Sequence, residues 1–174
     1  MPPTIDFATL SLQDALDLAI LIEEEAKERY DEFADQLTIH HTPDAAQFFV
    51  SMAGNEAKHG ADLQMRRHAM FGDTPRRVSR AMLWDVEAPE YDQSRMFMSA
   101  RQAMDVALDC EVKAHDFFAD ALAYVRDPDV RALFEELRAE ELEHQELVKS
   151  VRARLPESDD DADPNVFADE PVAQ

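Results

Sequence analysis

Very little in this chain can make a turn. Glycine occurs 3 times in 174 residues, and long runs lack proline as well. That argues against a turn-rich sheet protein and favours long helices. Cysteine is nearly absent: the lone Cys110 excludes an intramolecular disulfide framework and a four-cysteine metal site built from this chain alone. No run of about 18 apolar residues occurs, so no membrane span is expected. The opening MPPTIDFATL has no basic segment followed by an apolar one. No signal peptide is therefore expected, and the expected location is the cytoplasm. Bases are short too, 17 Lys and Arg against 38 Asp and Glu, for a formal net charge of -21. Such a surface repels nucleic acid and anionic lipid, so neither is an expected partner.

Part of that charge is a tail. Residues 156–174 hold seven acids and no base, which leaves about -14 on the rest. The tail has too few apolar residues to fold by itself and is expected to be disordered. Residues 1–155 are long enough for one domain with a substantial core.

Within that domain the apolar residues recur at helical spacing. Ser11 opens the pattern Ser-Leu-Gln-Asp, an N-cap with an acid three residues on. Ala15, Ala19, Ile22, Ala26, Tyr30, Phe33 and Leu37 then mark one face of a helix over about 12–38. Thr42-Pro43-Asp44 is a second start signal, with Pro at the first helical position and an acid in the first turn. The helix it opens runs to about 70, with Phe48, Met52, Ala53, Glu56 and His59 close to one face. Residues 71–98 break the pattern, interrupted by Gly72, Pro75 and Pro89. A connection of this length is unusual. The apolar Met82-Leu83-Trp84 predicts that it packs along the bundle, with a short helix near Arg80, and that the stretch around Trp84 covers a partner copy in a homodimer. Ser99 and Gln102 form a capping box for a third helix over about 100–125. Asp127-Pro128-Asp129 starts a fourth, ending near 154.

The two halves of the chain repeat. Glu23, Ala26 and Tyr30 on the first helix align with Glu111, Ala114 and Phe118 on the third. Glu56 and His59 on the second align with Glu141 and His144 on the fourth. Glu and His three residues apart on a helix share a face and can grip one metal ion. One such pair means little, because chance supplies on the order of half of one in a chain of this composition. Its repetition, each time with one Glu on the preceding helix, is the signal. The expected architecture is all-α: two helical hairpins joined by a long crossover into a four-helix bundle with approximate two-fold symmetry. Glu23 is the Glu of its triplet on the core face, since Ala19, Ala26 and Tyr30 share that face while Glu24 points outward with Lys27 and Glu28.

With these motifs, over residues 12–154, the chain resembles the rubrerythrin-like branch of the ferritin-like di-iron carboxylate proteins. The resemblance implies Glu23 and His59 on one iron, Glu111 and His144 on the other, and Glu56 and Glu141 bridging them. The chain departs from that pattern at Ala114, where rubrerythrins proper carry a further Glu. The remaining six-ligand set is closer to bacterioferritin-type sites. The chain also lacks the four cysteines of a rubredoxin domain, so an electron donor would be a separate protein.

Two divalent cations would balance four carboxylates whose burial without them is costly. Oxygen and nitrogen donors suit iron, with manganese or zinc as alternatives. The expected reaction is oxidation of a di-Fe(II) centre by hydrogen peroxide or oxygen. The competing readings are non-catalytic iron handling and a zinc-bound helical bundle. Tyr30 is expected to pack in the core, or to reach a ligand carboxylate with its hydroxyl. His115, one turn beyond Glu111, reads as a packing or surface residue with a late-ligand role as the alternative. Cys110 and the Met-Phe-Met run at 96–98 read as packing residues.

Overall fold

The computed structural model describes residues 5–39, 43–83 and 99–155. Within them the chain forms four long α-helices, α1 (Leu12–Ile39), α2 (Pro43–Phe71), α3 (Ala100–Leu122) and α4 (Pro128–Arg152), and no strand. Together they make a ferritin-like four-helix bundle. None of the described helices is long and apolar enough to cross a membrane. The crossover from residue 84 to 98, with Trp84 and the Met-Phe-Met run, and the tail from residue 156 lie outside the described residues, as do His40, His41 and Thr42.

Local chemistry sets the helix ends. The Ser11 hydroxyl accepts from the Asp14 backbone N–H at 3.2 Å and donates to its carboxylate at 2.7 Å. Ser99 and Gln102 form the reciprocal capping box ahead of α3. The Asp127 carboxylate accepts from the backbone N–H groups of Asp129 and Val130 ahead of α4, with Pro128 at the first helical position. Gly72, at φ 60°, closes α2 in the left-handed region that glycine enters without strain, and its N–H bonds the carbonyl of His68. The short helix near Arg80 is a single 3-10 turn, Arg80–Met82.

α3 ends at Leu122, earlier than the spacing predicts. Ala123 and Tyr124 bond back three residues in a tightened turn, and the Arg131 guanidinium takes the carbonyls of Leu122 and Val125 at 3.1 and 2.8 Å. A long-range side chain thus satisfies carbonyls that a further helical turn would have used. On α2 the core residue is Phe49, fully buried against Phe33 and Tyr30, while Phe48 is only partly buried at the margin. Phe49 is seven residues before Glu56, so it holds the inward position more closely than its neighbour.

The helices pair as two antiparallel hairpins, α1 with α2 and α3 with α4. Their apolar faces form two clusters rather than one. The first gathers the apolar residues among 15–22 of α1 with Leu63, Phe118, Leu133, Phe134 and Leu137. The second gathers Tyr30, Phe33, Phe49, Met52, Met104, Ala107 and Val148. Between the clusters, Glu23, Glu56, Glu111 and Glu141 lie in one buried layer across the bundle.

Candidate metal centre

Each helix contributes to this layer from its apolar face. Glu23 lies between Ile22 and Ala26, Glu56 three residues after Ala53, Glu111 four after Ala107, and Glu141 four after Leu137, and all five of those apolar neighbours are buried. The helical period that buries those neighbours also carries the carboxylates inward. Glu23, Glu56, Glu111, Glu141 and His144 are each between 1 and 7% exposed. The facing residues are small: Ala26 and Ala114 are buried one turn on from Glu23 and Glu111. Gly60 lets α2 come close to Glu23, since a Cβ there would sit 3.4 Å from that of Glu23.

His144 is the hub. Its Nδ1 lies 3.2 Å from Glu111 Oε2, 3.5 Å from Glu56 Oε1 and 3.9 Å from Glu141 Oε2. The His59 ring stacks on that of His144, centroids 5.2 Å apart and planes 5° from parallel, and its Nδ1 is 4.0 Å from Glu56 Oε2. Two groups of donors result whose ligand atoms lie within 4.8 Å of one another: Glu56, His59 and His144, and Glu111, Glu141 and His144. Glu23 joins them through a hydrogen bond with Glu56. All six residues singled out by the repeat therefore converge on one place.

The electrostatics are those of anions crowded together out of water. Burial, and then the charge of Glu56 and the bond to it, hold the Glu23 carboxyl well above its ordinary range. Burial opposes charge on His144, yet the bond to Glu111 and the charges of Glu111 and Glu23 prevail and raise its pKa. His59 is lowered, by burial and by the nearness of His144. Glu111 Oε1 and His59 Nδ1 are buried atoms with no hydrogen bond among the described residues. Buried polar atoms of this kind call for a partner. Mixed carboxylate and imidazole donors, converging and short of partners, fit a pair of divalent cations.

The sequence profile of the family described as Rubrerythrin matches residues 14–151, across all four helices. The chain belongs to the rubrerythrin family. The family implies a di-metal site, and the structure brings two carboxylate–histidine groups together. A crystal structure at 2.00 Å of an uncharacterized conserved protein from Magnetospirillum magnetotacticum MS-1 is similar in fold. It is 30% identical, with a TM-score of 0.69, over 84% of this chain and 97% of that one. No curated protein matches the chain.

Other expected residues fall outside the centre. His115 bonds Asp116 at 2.9 Å and belongs to neither donor group. Tyr30 is buried and stacked on Phe49, and its hydroxyl makes no hydrogen bond among the described residues. Cys110 is a buried thiol. Sequence reasoning passed over Gln145, whose amide donates to the Glu111 carbonyl at 3.3 Å and so steadies that helix position. It also passed over Asp62 and Glu140, which stand beside the centre. The signal was available, because Asp62 is three residues beyond His59 and Glu140 directly precedes Glu141.

Proposed function

We propose that this protein is a non-haem di-iron oxidoreductase, acting on hydrogen peroxide or oxygen. The observation that carries the reading is the convergence of two repeated carboxylate–histidine sets on one buried layer. Glu23 and His59 would hold one ion, Glu111 and His144 the other, with Glu56 and Glu141 between them. When bound, two Fe(II) ions supply the two electrons that, with two protons, reduce hydrogen peroxide to water. The chain's own residues do the rest. Four carboxylates offset the charge of two divalent ions and favour the ferric state. The apolar clusters on either side keep bulk water from the layer, which strengthens every charge interaction inside it. His144, held between Glu111, Glu56 and Glu141, would give up any proton at Nδ1 when it takes an ion. Tyr30, buried on the helix that carries Glu23, would offer a phenolic proton. A separate protein would return the electrons.

The charge of -21 favours a second reading, in which the same centre oxidises iron that is then passed on or released. Rapid mixing separates the two. Iron-loaded protein is mixed with hydrogen peroxide or with oxygen while the absorbance of the ferric pair is followed. Faster oxidation by peroxide, with iron retained, supports peroxide reduction. Faster oxidation by oxygen, with iron released, supports iron handling. No oxidation by either reagent rules out the catalytic reading and leaves a zinc-bound or structural bundle.

A further inference from the structure

α2 and α4 run antiparallel, with His59 beside His144 and, about two turns away, Arg66 beside Glu136 at 3.1 Å. Between these crossings lies a cavity of about 130 Å³ lined by His59, Asp62, Leu63, Arg66, Glu136, Leu137 and Glu140. Its inner wall is Leu63 and Leu137, both buried. Its outer wall is polar: Asp62 is exposed, Glu140 half-buried, and the Arg66–Glu136 pair bridges the far end. His59 closes the near end. One of its faces lines the cavity, and the ring is stacked on His144 inside the centre. The cavity is large enough to hold several waters, and His59, a member of one donor group, lines it.

Charge decides what such a passage favours. Three carboxylates and one guanidinium line it, a net excess of negative charge beside a low-dielectric wall. Clefts of one sign concentrate counter-ions and raise their rate of entry. We propose that this cavity is the port through which divalent cations reach the buried centre, with Asp62 and Glu140 drawing them in and Arg66 opposing them. The inference rests on the di-metal reading above and adds a route and an electrostatic selectivity to it. Neutral peroxide or oxygen entering the same way would be indifferent to these charges.

The test is anaerobic stopped-flow loading with Co(II), read by its ligand-field absorbance at low and high ionic strength. Asp62→Asn with Glu140→Gln should slow loading about tenfold at low salt, and Arg66→Gln should speed it, with two Co(II) per chain bound at the end in each case. Both effects should shrink as salt is added. Glu32→Gln with Asp35→Asn, which removes two exposed charges from α1, is the control for overall charge. Cavity variants that load at the rate of this control would overturn the port and leave the centre standing. Binding of fewer than two Co(II) by the unaltered protein would overturn the centre and the port together. The opposite signs expected for the acidic and the Arg66 variants cannot come from loss of folding.

Discussion

His144 has three carboxylates within 4 Å of one ring nitrogen, an arrangement that is unfavourable unless a proton or a cation sits among them. Glu141→Ala or His144→Ala should therefore reduce cation stoichiometry from two per chain to one or fewer, measured by anaerobic titration; retention of two would remove that residue from the ligand set. Protons compete for the same atoms. Glu23 and His144 both have raised pKa values in the folded, metal-free protein, so they keep protons to higher pH than free side chains do. A cation must displace those protons, and its apparent affinity should fall as pH drops from about 8 to about 6, by about tenfold per pH unit for each proton displaced. A flat affinity profile over that range would contradict it. That these side chains come together in the bundle was legible from the repeated spacing. That His144 joins both donor groups was not, because spacing along a helix says nothing of how far each side chain reaches across the bundle.

The α1–α2 hairpin is locked at one end by a buried ion pair. Asp17 accepts from Arg67 at 2.8 and 3.2 Å, and Arg67 also donates to the carbonyls of Gly72 and Thr74 where the chain leaves α2. Removing one partner strands a buried charge. Asp17→Ala should cost about 3–5 kcal/mol in urea unfolding, and adding Arg67→Leu should recover part of the loss. An Asp17→Ala cost within about 0.5 kcal/mol of zero would show that the pair is not needed. At the start of α4, Asp127→Ala should cost about 1 kcal/mol through the lost cap, seen as a lower Tm. Caps and helix spans were readable from sequence because they depend on neighbours three and four residues apart. Asp17–Arg67 and the Arg131 cap that ends α3 early were not, because each joins residues brought together only by the turn between helices.

Across the whole molecule, the polar layer divides the apolar core in two, so the bundle gives up packing at its middle to gather four carboxylates there. Bound cations should restore what the layer costs. At a free ion concentration of about 1,000 Kd the folded state gains about 4 kcal/mol, equivalent to a Tm rise of roughly 8–16 °C for a domain of this size. Chelation should reverse that rise, and a Tm unmoved by either treatment would mean that the layer is stable without ions. The two-hairpin plan was visible in sequence because it is written twice, whereas the dimer contact expected around Trp84 lies outside the described residues. The most direct test of the central claim is an anaerobic Fe(II) titration of the full-length protein, with bound iron counted per chain. The account predicts two tightly bound Fe(II); one or none would contradict a two-ion centre built from Glu23, Glu56, His59, Glu111, Glu141 and His144.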